Sequence, residues 1–464
     1  MKKMDLKPML KPASVAIIGA SRDPDKVGHV ILQNYINGGY PGRIYAVNKS
    51  ATEILGVKSY PSVLDIKDDL DLAVICVPAS FVPDVLDECG RAKVKTTVVV
   101  SGGFAEIGAQ ELQDKLVAIA NKYNMPTLGP NCLGVMDPRS RVDTLFLPTY
   151  KLSRPSVGGV SFVCQSGAVG STVLDLISGE GFGLSKFISY GNAAHVDEVD
   201  ILNYLMDDPE TKVIIMYIEG IKRGKDFIDV AKKITKIKPV IVLKAGRTSA
   251  GQAAAHSHTA ALAGDYESHE AVFRQFGFTI ADDLSDLLNY AKTLESEPMP
   301  KGSKVAIITN GGGTGVLTAD AIGLSGLLQL ANLSEKSRAD LKKVMPPLVN
   351  LRVPLDIVGD ADEKRYGDAL DILSKDDGID MFIVIMLFQT PGADSRAAAK
   401  LISFKERMDK PMIVLSIGSD YTRMHRIMME SAGLPVYDSP SAAVRSLTEL
   451  FKYSNYRSRL PSRN

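Results

Sequence analysis

Residues Val160–Asp175, VSFVCQSGAVGSTVLD, align without a gap on Val305–Asp320, VAIITNGGGTGVLTAD. Each stretch reads as an apolar strand, a glycine-rich turn and the start of a helix. The match continues in order along the chain. GNAAHVDEVDILNYL (from Gly191) resembles GDADEKRYGDALDIL (from Gly359), and KVIIMYIEG (Lys212–Gly220) pairs with MFIVIMLFQ (Met381–Gln389). KPVIVLKAG (Lys238–Gly246) returns as KPMIVLSIG (Lys410–Gly418), and FGFTIADDLSDLLNYAKTL (from Phe276) as AGLPVYDSPSAAVRSLTEL (from Ala432). Independent convergence of generic α/β units does not order so many blocks alike, so the chain carries an internal duplication.

Outward from the duplication, β-branched runs alternate with helical stretches upstream as well: VAIIGA, RIYAVN, LAVICVPA and TTVVVSGGF. Strands separated by helices indicate βαβ units and parallel sheets. Their near-continuous apolar character agrees, because both faces of such a sheet are covered. Two punctuations divide the 464 residues: LSRPSVGG (Leu152–Gly159) and SEPMPKGS (Ser296–Ser303). Three domains follow, at 1–150, 151–300 and 301–464, close to the usual ~150 residues each.

Composition excludes several function classes. Lys+Arg and Asp+Glu balance at 54 each, so no basic field draws the chain to nucleic acid or anionic lipid. No apolar run reaches the ~18 residues of a membrane helix, and the N-terminus lacks the apolar core of a signal peptide. Four scattered cysteines (Cys76, Cys89, Cys132, Cys164) without a C-x-x-C pair fit reduced thiols in a cytosolic enzyme.

The differences between the copies point to chemistry. Copy one follows its Lys-Pro strand with GRTSAGQAAAHSHTAALAGDY (Gly246–Tyr266), which holds two of the six histidines, His256 and His258. Copy two passes from Gly418 almost directly to a helix near Arg426. Copy one also ends a strand in Ile218-Glu219-Gly220, where copy two has Phe388-Gln389. A carboxylate at a strand's carboxyl end faces the crevice where open α/β sheets bind ligands. A neutral imidazole can accept and release a phosphoryl group near pH 7, and a carboxylate on its other nitrogen fixes the tautomer. The alternatives are a metal pair, for which no third ligand follows at sensible spacing (Asp265 and His269 are nonspecific), and solvated histidines.

Phosphate needs an anion site. The two glycine turns, Gln165-Ser166-Gly167 and Asn310-Gly311-Gly312, each place backbone N–H groups at a helix start. In the first domain Gly19-Ala20-Ser21 closes the first strand, but without G-x-G-x-x-G spacing. The second strand ends in Val47-Asn48-Lys49, with no acid for an NAD ribose. Arg22 and Lys26 supply cations instead, and Val77-Pro78-Ala79-Ser80 and Ser101–Phe104 add small residues to the same rim. This reads as a site for a phosphorylated adenosine other than NAD.

The set GAS…AVN…VPAS…SGGF…GPNCLG…QSG…IEG…SHTAALAG…NGGGTG resembles the ADP-forming acyl-CoA synthetases, relatives of succinyl-CoA synthetase, over nearly the whole chain. The resemblance implies a CoA-binding Rossmann-like domain followed by two flavodoxin-like domains. It implies a phosphorylated histidine at His258, in the register of Ser257-His258-Thr259, with Glu219 as its carboxylate partner and the two glycine turns as phosphate sites. CoA would meet Gly19, Ser21, Arg22, Lys26, Asn48, Val77, Pro78 and Ser101, with Asn131 and Cys132 near its thioester end. Ala260 stands where the family commonly has glycine, and His256 is an unusual second imidazole. The family's nucleotide sits in an ATP-grasp domain, and this chain reaches Asn464 soon after its third domain. The expectation is therefore an α subunit that binds acetyl-CoA and phosphate. A separate ATP-grasp β chain, in an α2β2 assembly, would hold ADP or ATP with Mg²⁺. No resident metal, nucleic-acid partner or membrane contact is expected. The competing readings are a CoA-binding regulatory or scaffold protein with a vestigial site, and an NAD-dependent dehydrogenase.

Overall fold

The computed structural model describes residues 3–253 and 266–459. These divide into two compact units: the first runs to residue 280 apart from 180–182, and the second comprises 180–182 and the chain from 281 onward. Among the described residues no helix is long and apolar enough to cross a membrane.

The first unit holds two sheets. In the first, β1 (Ser14–Ile18), β2 (Arg43–Val47), β3 (Glu53–Ile54), β4 (Val57–Tyr60), β5 (Leu72–Ile75), β6 (Thr96–Val99) and β7 (Thr127–Leu128) lie in the order 3-4-2-1-5-6-7. All pairs are parallel except the short β3–β4 hairpin. Every residue of β1, β5 and β6 is buried, as expected of strands covered on both faces. The second sheet contains β8 (Gly134–Asp137), β9 (Val142–Asp143), β10 (Val157–Cys164), β11 (Leu184–Ser189), β12 (Val213–Ile218), β13 (Val240–Lys244) and β14 (Thr279–Ile280). Its order is 14-13-12-10-11-8-9, and β8 pairs antiparallel with β11.

Strand pairing thus runs across the punctuation at 152–159: β8 and β9 precede it in sequence yet belong to the second sheet. A buried charge cluster fastens them. Lys186 on β11 is fully buried, with Nζ 2.9 Å from Glu210, 3.0 Å from Asp208 and 3.5 Å from Asp137 of β8. Burial disfavours its charged form, but the three carboxylates outweigh that and raise its pKa.

In the second unit β15 (Lys304–Thr309), β16 (Gln329–Leu330), β18 (Met381–Ile385), β19 (Met412–Leu415) and β20 (Val436–Tyr437) form a parallel sheet in the order 16-15-18-19-20, with β17 (Leu355–Asp356) on β15. The succession β10, β12, β13, β14 in one sheet repeats as β15, β18, β19, β20 in the other, in the same order and sense.

The pairing corrects one sequence match by a single residue. Val160 lies opposite Val213, and its counterpart Val305 lies opposite Met381. Val213, not Lys212, therefore corresponds to Met381, and Glu219 corresponds to Leu387 instead of Phe388. A side-chain latch confirms the register: Gln165 Oε1 accepts from the Glu219 N–H at 2.8 Å, and Asn310 Oδ1 accepts from the Leu387 N–H at 2.9 Å. Copy two also enters its helix at Asp420 (Asp420–Ser431), earlier than Arg426. Its His425 stacks on Phe388 with ring centroids 4.3 Å apart.

Candidate active site

A cavity of about 580 Å³ opens within the first unit, where the ends of the two sheets meet. On one wall β10 ends, Gln165 and Ser166 turn the chain, and the helix Gly167–Glu180 begins; Gln165, Ser166, Gly167 and Ala168 all line the cavity. A helix starting on a cavity wall brings its N–H groups and positive dipole end to it. Glu219, at the end of β12, lines the same wall and is 8% exposed. Its backbone is held on both sides, the N–H by Gln165 and the carbonyl by Lys244 Nζ at 2.9 Å. Burial lowers the pKa of Lys244, and Glu219 opposes the shift.

The facing wall comes from the first sheet. Asn131, in the left-handed region (φ 57°), follows β7 and donates its backbone N–H to Ser101 O at 2.9 Å. Gly191, after β11, packs on this turn so closely that a Cβ would come within 2.2 Å of Asn131 O, at a φ of 53°. Only glycine permits that approach. It brings Asn192 into the cavity, where its amide N–H₂ donates to Glu106 and to Gln113 Oε1 at 3.0 Å, and its Oδ1 accepts from Asn131 at 3.2 Å. Burial raises the pKa of Glu106, but donation from Asn192 and from the N–H groups of Gly103 and Phe104 prevails and holds it below the usual range. Among the described residues Lys222 is the one cation on the lining, its Nζ 2.9 Å from Asn192 O. Cys132 also lines the cavity; burial pushes its thiol up to about 12, so it stays protonated.

The sequence-derived residues fall into three places. Gln165, Ser166, Gly167, Glu219 and Asn131 come together on the cavity. Gly19, Ser21, Arg22, Lys26, Asn48, Val77, Pro78 and Ser101 lie outside its lining, following the carboxyl ends of β1, β2, β5 and β6, where parallel sheets bind ligands. Arg22 and Lys26 are exposed there, whereas Asn48 is committed to the fold, donating to Ala20 O and accepting from Ser50 and Ala51 N–H. Gly28 seats the next helix on this turn, since a Cβ would come within 2.1 Å of Gly19 O. The third place is the second unit. There the Asn310 side chain is spent on Leu387 and Thr390, the Gly311 N–H donates to Thr309 Oγ1, and the carboxylate of Asp356 stands 2.6 Å from the Cβ position of Gly312. His256 and His258 lie outside the described residues.

Glu106, Gln113, Asn192 and Lys222 were not singled out from sequence. Glu106 stands two residues past SGGF, Asn192 is second in a duplicated block and Lys222 stands two residues past IEG, so three had a neighbouring signal. Gln113 had none.

Glu198 begins the helix Glu198–Asp207; it is 1% exposed, and its Oε1 has no hydrogen-bond partner among the described residues. Burial first and Asp197 second push its pKa up to about 7, against Arg223 and Lys222. A carboxyl raised in the folded state costs stability once pH exceeds its unfolded value near 4.3, and the cost stops growing above the folded value. Glu198→Gln is expected to stabilise the chain by about 3 kcal/mol at pH 8, with a gain that grows from about pH 4.5 to about 7 and then levels off. Thermal melts across that range check this; a gain that does not vary with pH contradicts it.

Residues 13–138 match the family model of a CoA binding domain, and residues 157–294 that of a succinyl-CoA ligase like flavodoxin domain. The α subunit of acetate–CoA ligase (ADP-forming) II from Pyrococcus furiosus is 39% identical over 450 residues, which cover 95% of this chain and 97% of that one. Acetate–CoA ligase (ADP-forming) from Methanocaldococcus jannaschii is 40% identical, and the match covers 97% of this chain but 63% of that longer protein. Acetyl-coenzyme A synthetase 1 of Ca. Korarchaeum cryptofilum, solved with phosphate and ADP, superposes with a TM-score of 0.91 at 36% identity, covering 98% of each chain. A CoA-binding domain ahead of succinyl-CoA ligase-type flavodoxin domains, carried at this identity over nearly the full length of α subunits, places the chain in the family of ADP-forming acetyl-CoA synthetases.

Proposed function

We propose that this chain is the acyl-transferring α subunit of an ADP-forming acid–CoA ligase, with acetyl-CoA as its first substrate. The observation that carries the reading is the cavity itself, which puts Glu219 and the start of the helix Gly167–Glu180 on one wall and Asn131, from the CoA-binding domain, on the other. CoA would lay its phosphorylated adenosine along the rim at Gly19–Lys26 and Asn48. Its pantetheine arm would pass Val77, Pro78 and Ser101 and reach the cavity at Asn131. Phosphate held at Ser166-Gly167 attacks the thioester carbonyl; the C–S bond breaks, releasing CoA thiol and leaving acyl phosphate. His258 then attacks phosphorus, the carboxylate leaves, and the chain carries a phosphoryl group on nitrogen. Glu219 orients the ring and stabilises its positive charge. The second glycine turn, Asn310-Gly311-Gly312, would be a further phosphate-binding helix start within the second unit. Relatives named as α subunits support a nucleotide-binding β partner, an ATP-grasp chain that would pass the phosphoryl group to ADP with Mg²⁺.

The test is to incubate the chain alone with acetyl-CoA and labelled phosphate. Acid-labile, base-stable label is expected in the tryptic peptide 248–274, on His258 and not His256, with release of free CoA thiol. CoA binding without any label would leave only a binding or scaffold role.

A further inference from the structure

Gln113 lies on the helix Gln110–Lys122, is 6% exposed and lines the cavity. Its orientation follows from Glu106. An ionised carboxylate only accepts hydrogen bonds, so Asn192 must turn its N–H₂ toward Glu106. The same N–H₂ donates to Gln113 at 3.0 Å, so Gln113 presents its oxygen to Asn192. Gln113 Nε2 is then the opposite end, and it donates to no described residue. The side chain is nine-tenths buried but this donor is not among the buried atoms left without a partner, so it opens onto the cavity, where an acceptor on a ligand can meet it. Asn192 spans the distance, its carbonyl bound by Lys222 near Glu219 and its amide bound to Gln113. The cavity, at about 580 Å³, lies in the range of sites for drug-sized ligands and far exceeds a two-carbon acyl group. Val100, Leu133 and Phe146 supply apolar lining between its polar ends.

We infer that Gln113 is a specificity-determining residue whose amide N–H₂ reads a neutral acceptor, a hydroxyl or carbonyl oxygen, at the far end of an acyl group longer than acetyl. The inference rests on the cavity being the acyl-CoA site. A terminal carboxylate is disfavoured, because Glu106 stands ionised beside the same amide cluster. A purely apolar chain leaves Gln113 unpaired and gains nothing from it.

Isothermal titration of the chain with CoA thioesters tests this without turnover. Wild type is expected to bind 4-hydroxybutyryl-CoA about five- to tenfold more tightly than butyryl-CoA, and succinyl-CoA more weakly than either. Gln113→Leu is expected to invert the first preference while acetyl-CoA and free CoA stay within about twofold; Gln113→Met, nearly the same size as glutamine, should do the same if leucine disturbs the helix. Equal loss of affinity for free CoA and every thioester in both variants would overturn the inference, placing Gln113 in pantetheine binding or in packing. So would wild-type affinities that ignore the hydroxyl. Failure of the underlying acyl-CoA reading has a different signature, the absence of binding by any thioester.

Discussion

Glutamine in place of Glu219 is expected to slow phosphorylation of the chain from acetyl-CoA and phosphate about a thousandfold, the middle of the range for a positioned proton-managing carboxylate. The geometry makes this substitution clean. The backbone of Glu219 is pinned by Gln165 on one side and Lys244 on the other, and neither bond involves its carboxylate. Glutamine keeps the shape and the place; it loses the charge that compensates an imidazolium. Single-turnover labelling measures the rate, and CoA titration checks the rim, where affinity should stay within about twofold. A rate within tenfold of wild type removes Glu219 from the chemistry, and loss of CoA affinity moves it to ligand binding.

The largest effect on stability is expected at Lys186. Lys186→Met removes the cation paired with Asp208 and Asp137 and leaves those carboxylates facing each other inside the sheet, at a cost of about 3–5 kcal/mol. Glu210 is buffered by a second partner, since Lys11 lies 2.6 Å away. Denaturant unfolding of the variant should show the drop, and adding Asp137→Leu and Asp208→Leu should recover part of it, because an apolar replacement of a buried ion cluster is tolerated better than a broken one. A loss below about 1 kcal/mol for Lys186→Met alone would mean that water already screens the cluster.

What sequence could reveal here followed locality. β-branched runs between helices announced parallel sheets, and the repeated blocks announced two copies, because each signal lies within one strand or turn. The register between KVIIMYIEG and MFIVIMLFQ slipped by one because both stretches are uniformly apolar, so neighbouring offsets match equally well. The pairing of Glu219 with Gln165 and of Leu387 with Asn310 settles it in space. The departure of β8 for the second sheet rests on contacts with β11, about fifty residues downstream, and on a lysine whose partners are scattered from Asp137 to Glu210. Gln113 looked like any polar residue on an amphipathic helix until Asn192 met it from 79 positions away. Glu219 and Ser166 were marked by a strand end and a glycine turn, whereas Asn131 came only from the family resemblance carried by GPNCLG. The assignment of His258 over His256 rests on the Ser-His-Thr register and falls outside the described residues.

The strand pair β8–β9 also has a bearing on how such proteins are inherited. Its residues lie within the stretch that precedes the 152–159 punctuation, yet they complete the edge of the following sheet and carry one carboxylate of the Lys186 cluster. A recombination that exchanged the leading half at that punctuation would deliver a foreign edge to β11 and a foreign partner to Lys186. The heritable module is therefore the pair of sheets, ribbon included.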